Sequence, residues 1–256
     1  MKLSMTGTGK LSSKLFAILA VGIYSQLAYA QSASTGPNKV YIEQIGSTNT
    51  VTIEQVGGTN NVGGTTSTTP SASNYATITG STNTVAITQT GDSNLNQYNI
   101  KGNNNNYSST ITGSGNSSKL IMGSQNTNTL RSTVTETVTG NSNTIEQTVV
   151  GNDITSTLAM VGSSNQVTKN LTSTNGVSNI DITGSNNKLD IEQRDAAGAT
   201  GHNLQQYVSG DYNSIVTQQQ GTNDTSVDIR TTGSHNTITV RTSSSGIIGS
   251  QTAVAR

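Results

Sequence analysis

Acids, imidazoles, hydroxyls and carboxamides are the side chains here that could do chemistry, and the carboxamides recur at a fixed spacing. A hydrolase or lyase needs paired carboxylates, or a nucleophile with a base, brought onto one face. Asp181 and Asp190 fall in different segments, Glu136 stands alone, His202 lies in an irregular stretch and His235 in a turn, G-S-H-N. With no acid or nucleophile nearby in sequence, each histidine fits a turn or surface position better than that of a catalytic base. The many Ser and Thr residues are composition, not a triad. Asp92, Asp153 and Asp211 follow Gly or Asn but lack the G-G-x-G-x-D frame of repeat-type calcium sites. The expectation is a protein with no catalytic residue, no metal site and no cofactor.

The carboxamides behave differently. From Asn38 to Gly57 one phrase is written twice, N-K-V-Y-I-E-Q-I-G and then S-T-N-T-V-T-I-E-Q-V-G. Alternation points Asn38, Val40, Ile42 and Gln44, then Asn49, Val51, Ile53 and Gln55, to one face of a strand. Tyr41, Glu43, Thr50, Thr52 and Glu54 point the other way. The following Gly46 and Gly57, each with a polar pair and then Asn in the first case, carry turn chemistry.

The beat continues. Gly80, Gly91, Gly102 and Gly113 keep the step of 11 that separates Gly46 from Gly57, as do Gly140, Gly151 and Gly162. Asn83 is followed by Val85, Ile87 and Gln89, with Asn94 after the next turn; Asn143 is followed by Ile145 and Gln147. Asn187 leads Leu189, Ile191 and Gln193; Asn213 leads Ile215 and Gln219; and Ile238 and Val240 close the series. A fixed short period is the signature of a solenoid. The predicted fold is all-β, a β-solenoid of strand-turn-strand rungs of about 22 residues built from 11-residue half-repeats. In such a stack the Asn and Gln amides donate to one neighbour and accept from the other, while Val, Ile and Leu form a thin core.

Composition limits the alternatives. The chain has 256 residues, 30% hydrophobic, no Cys and no Trp, too little apolar material for an ordinary two-layer domain of this length. Residues 1–30 read as a secretory signal peptide: Lys2, Lys10 and Lys14, then the short apolar run from Leu15 to Ile23, then Ala28-Tyr29-Ala30 before Gln31. Without those three lysines the formal charge is −3, which gives no basic stripe for nucleic acid. Residues 31–37 form a leader, 38–242 the repeat domain with insertions near 62–74 and 195–206, and 243–256 a tail or cap. Pro70 inside the first insertion cannot sit in a central strand.

Asn38-x5-Gln44-x4-Asn49-x5-Gln55 resembles the curlin repeat, and Asn83-x5-Gln89-x4-Asn94 matches three of its four positions. The rhythm covers most of the chain after residue 37, while the motif fades between Asn103 and Thr139, and Ile100, Ile111 and Met122 stand near expected Gln positions. The resemblance implies a secreted, cell-surface subunit of curli-type functional amyloid, polymerising with itself and other curlin-like subunits to support adhesion and biofilm. It also implies an outer-membrane secretion pore and accessory factors as partners, and it does not separate a major subunit from a nucleator. The alternative is a monomeric surface adhesin that binds a glycan or a host matrix protein. Ice binding by Thr50/Thr52, Thr77/Thr79 and Thr237/Thr239 is disfavoured, because Tyr41, Glu43, Ala86 and Lys188 interrupt any continuous outward threonine column.

Overall fold

The computed structural model describes residues 37–66, 74–123, 129–150, 152–172, 175–195, 202–221, 225–243 and 251–255, with short strands at 2–6, 15–18 and 27–30. Among the described residues there is no helix. The chain is a β-solenoid, and it alternates between two sheets at every turn. The first sheet stacks Lys39–Ile45, the split pair Asn61–Gly63 and Ala76–Thr79, Leu95–Asn103, Ser117–Met122, Thr144–Val149, Gln166–Lys169, Ile191–Asp195, Ser214–Gly221 and Thr237–Ser243. The second stacks Thr50–Val56, Thr84–Thr90, Asn106–Thr112, Thr133–Thr139, Thr155–Val161, Gly176–Thr183, His202–Ser209, Thr225–Thr231 and Gln251–Ala255.

Every strand from Lys39 onward pairs in parallel with the strand one turn away. Parallel register stacks like upon like. Val51 lies under Val85, then Tyr107, Val134 and Ser156 in one column of the second sheet. Period-2 alternation therefore becomes two inner faces about 10 Å apart that close on each other. Val40, Ile42, Val51, Ile53, Val85, Ile87, Ile145, Leu189, Ile191, Ile215 and Ile238 are buried there, and Val240 packs at the margin.

The corners carry the glycines. At one corner each turn reads Gly, a variable residue, a residue with positive φ, then usually Asn, as in Gly140 (φ 130), Asn141, Ser142 (φ 56) and Asn143. A Cβ on Gly140 would stand 1.8 Å from the carbonyl oxygen of Gly162 above it. Glycine is thus demanded twice, by its backbone angle and by the glycine of the next tier. The column Gly57, Gly91, Gly113, Gly140, Gly162, Gly184, Gly210, Gly233 repeats this close approach at each step. Among the described residues the opposite corner shows it only across Gly46, Gly80 and Gly102.

The stretches singled out in the sequence stand as follows. The first insertion separates Asn61–Gly63 from Ala76–Thr79 within one position of the first sheet; its residues 67–73 lie outside the described residues, and Tyr75 beyond them meets Tyr41 edge-on at 6.2 Å. Outward-facing Tyr41 is consequently only 7% exposed. The second insertion is shorter than 195–206, because Ile191–Asp195 and His202–Ser209 are both paired strands and Leu204 and Gln206 are core residues. The apolar Leu204 on the inward parity returns the chain to the second sheet. Residues 1–37, read as signal peptide and leader, lie mostly outside the described residues. Within them Lys2–Thr6 pairs antiparallel with Lys39–Glu43, and Leu27–Ala28 pairs in parallel with Thr52–Ile53. Most of the tail is also outside the described residues, while Gln251–Ala255 adds in parallel to Val227–Thr231.

Candidate functional site: an asparagine corner and a buried polar relay

Asparagine at the end of each first-sheet turn satisfies backbone groups that a tight corner would leave open. In Asn143 the side-chain Nδ2 donates to Gly162 O at 2.8 Å and to Asn116 Oδ1 at 3.0 Å. Its own Oδ1 accepts from the backbone N–H of Asn165 at 3.0 Å and from Asn165 Nδ2 at 3.1 Å. Asn38, Asn60, Asn94, Asn116, Asn143, Asn165, Asn187, Asn213 and Asn236 form one unbroken column, each backbone N–H after the first donating to the previous Oδ1 at 2.9–3.0 Å. All but Asn236 are buried. A carboxamide fits because it offers a donor and an acceptor on one short stem.

Asn49 and Asn83 belong to the other corner. There Asn83 Nδ2 donates to Asn49 Oδ1 at 3.1 Å and Asn105 Nδ2 to Asn83 Oδ1 at 3.0 Å. The column then passes to Ser132, whose backbone N–H donates to Asn105 Oδ1 at 3.2 Å. The second insertion falls at this corner, whereas the first interrupts a first-sheet strand.

The glutamines do not form the continuous ladder that sequence spacing suggests. Gln55 Nε2 donates to Gln89 Oε1 at 2.8 Å, but the register then brings Ile111 and Val138 into that column. Ile100 and Met122 likewise occupy a glutamine position in the first sheet, beneath the half-buried Gln44 and next to Ile78. Gln193 is buried with both amide atoms unpartnered among the described residues. Its register neighbour Gln219 is described in backbone only. The reason is geometric: a column needs the same residue in every tier, and glutamine recurs on different columns of two sheets.

Gln147 has a separate role. It faces the core two residues earlier along the strand than Gln193 does, stacked on Leu120 and Lys169. Its Nε2 donates to Glu136 Oε1 at 2.5 Å. Glu136 Oε2 accepts from Tyr107 Oη at 3.0 Å, Ser109 Oγ at 3.1 Å and Ser118 Oγ at 2.7 Å. Asn96 closes the far side by donating to Tyr107 Oη at 3.1 Å and Ser109 Oγ at 2.8 Å. On the near side Ser156 Oγ donates to Gln147 Oε1 at 3.1 Å and accepts from Lys169 Nζ. Glu136 and Lys169 are both fully buried.

Burial lowers the Lys169 ammonium from 10.5 to about 7, with the Glu136 charge opposing part of that shift. Burial also pushes the Tyr107 phenol well above its usual range, and Glu136 adds to the effect. In the sequence Glu136 stands alone and Lys169 belongs to no motif. Each sits on the inward parity of a strand where an apolar residue is the rule, and that was the available signal: a charge on the core face demands a partner.

Among the described residues no cluster of His, Asp and Glu could hold a metal ion. No protein-family profile, curated protein or solved structure matches this chain.

Proposed function

We propose that the chain is a structural subunit that stacks end to end with other copies into an extracellular cross-β fibre of curlin-like type, exported to the cell surface and serving adhesion and biofilm. The asparagine column carries this reading. Each tier offers the next an Oδ1 acceptor, an Nδ2 donor for its glycine carbonyl and a strand edge, so the groups that join tiers within a copy are also those that could join copies. An unpaired strand edge is a template for another chain, and a solenoid ends in two of them unless capped. The subunits that fit are copies of this chain or chains with the same Gly-x-x-Asn corner. Export through a dedicated pore with accessory factors follows from the repeat resemblance alone.

The experiment is seeding. Sonicated fibres added to fresh chain (Gln31 onward) abolish the lag in thioflavin fluorescence if tiers template tiers. Replacing Asn116, Asn143 and Asn165 together by Ala lengthens growth more than replacing outward Thr135, Thr137 and Thr157 does. Equal effects would reject the asparagine column as the stacking element.

A second reading, a monomeric adhesin, rests on the outer face of the second sheet. There a shallow groove of about 590 Å³ presents half-exposed Tyr207 beside Asn179, Asp181, Gln205, Asp228 and Arg230. An aromatic plate among amides and acids suits a sugar ring. A chain that stays monomeric and binds a glycan array through Tyr207 would favour it.

A further inference from the structure

Glu136, Gln147 and Lys169 meet inside the rod and take no part in the stacking proposed above. Register sets Gln147 directly opposite Lys169 on adjacent parallel strands, with Cα atoms about 4.8 Å apart. The Ser156 hydroxyl bridges them, donating to Gln147 Oε1 at 3.1 Å and accepting from Lys169 Nζ. Amine and carboxamide are therefore held against one hydroxyl. From the opposite sheet Glu136 Oε1 grips the Gln147 amide nitrogen at 2.5 Å. Glu136 is fixed in turn by hydroxyl donors from Tyr107, Ser109 and Ser118. No member of the set Glu136, Gln147, Ser156 and Lys169 is more than 1% exposed. Glu136 and Tyr107 are the titratable groups inside the relay with Lys169; the Lys119–Glu146 pair of the neighbouring strands lies on the outer face.

An amine adds to a carboxamide carbon only as the free base, next to a group that can move its proton, and in the absence of competing water. Burial meets the first and last conditions here: it brings Lys169 to about 7, so the free base is well populated at neutral pH. We infer that Lys169 and Gln147 join in an intramolecular isopeptide bond, with Glu136 carrying the proton between the two nitrogens. Lys169 Nζ bonds to Gln147 Cδ and the Cδ–Nε2 bond breaks. One proton leaves Nζ for the Glu136 carboxylate and passes to Nε2, which departs as ammonia. No oxidant or reductant is needed. Ser156, already donating to Oε1, steadies the charge that develops on that oxygen. Glu136 is the poorer acceptor for the amine, since a carboxylate must lose an oxygen that three hydroxyls hold in place. The product staples neighbouring strands of the first sheet across one turn, in a chain that has no cysteine to do so.

The test is mass analysis of the whole folded chain after incubation at pH 8. Intact mass in denaturant falls by about 17 Da, one ammonia. Cleavage at Asp153, which lies between the two residues, leaves the flanking peptides joined through Gln147 and Lys169. Cyclisation of a terminal glutamine also releases ammonia but cannot join those peptides. Glu136→Gln leaves them separate, as does Lys169→Met, and wild-type chain held unfolded in urea remains unlinked. Separate peptides from the folded wild-type chain would overturn the inference whatever the variants do. A branch to Glu136, with loss of one water instead, would overturn the assignment of Gln147 as acceptor.

Discussion

Lys169 and Asn143 show what one residue can contribute in a stacked fold. Lys169 is the attacking group of the proposed link only when neutral, and burial places its titration near 7. At pH 5 about one amine in a hundred is then neutral, and above pH 8 nearly all are. The rate of ammonia release in the folded chain should rise roughly tenfold per pH unit up to about 7 and level off above it. A rate flat from pH 5 to 9, followed by mass, would disconnect the amine from the reaction. Asn143→Ala strips two donations from Nδ2 and two acceptances at Oδ1, leaving a glycine carbonyl and a backbone N–H without their partners. We expect a loss of about 3 kcal/mol in denaturant unfolding. A change under 0.5 kcal/mol would mean that water replaces the amide. Asn38, Asn94, Asn143, Asn187 and Asn213 of the column were legible in sequence from their spacing; Asn60, Asn116 and Asn165 were not, because the strands that follow them lack the apolar-and-Gln phrase. The Glu136 relay was not, because its members come from strands up to three turns apart and only the register brings them together.

At the scale of strands and corners, the two ends of each turn differ. The corner that carries Gly140 and Asn143 repeats through the rod, while the other shows no glycine-on-glycine contact beyond Gly102 among the described residues and takes up the second insertion. The sequence beat of 11 superimposes the two corners, which is why it reveals a solenoid but hides their inequality. The glutamine ladder failed for a related reason: an inward residue must recur on one column to stack, and Gln55, Gln147 and Gln193 lie on three. Gly140→Ala forces a Cβ to 1.8 Å from Gly162 O at a φ of 130°. It should destabilise the rod by several kcal/mol. Gly115, whose added Cβ would meet nothing closer than Ser142 Oγ at 3.7 Å and whose φ is 67°, should accept Asn at a cost of about 1 kcal/mol or less. Equal melting temperatures for the two variants would remove the tight glycine column from the account.

For the molecule as a whole, the question is what its end tiers meet. In the full chain Lys2–Thr6 lies antiparallel along Lys39–Glu43, and Leu27–Ala28 pairs beside Thr52–Ile53. Those segments cover the edge of the first tier, and they fall within the stretch whose sequence reads as a removable signal peptide. A chain starting at Gln31 should therefore assemble with a shorter lag than the full chain, as light scattering would register; equal lags would mean that the first tier is not a growing end. The central claim is that each tier templates the next beyond the end of one copy. X-ray fibre diffraction from the incubated Gln31–Arg256 chain tests it most directly. Templated growth gives long unbranched fibres with a meridional reflection at about 4.8 Å and an equatorial one at about 10 Å; a solution that stays monomeric and β-rich, and gives no fibre to diffract even after seeding, would refute it.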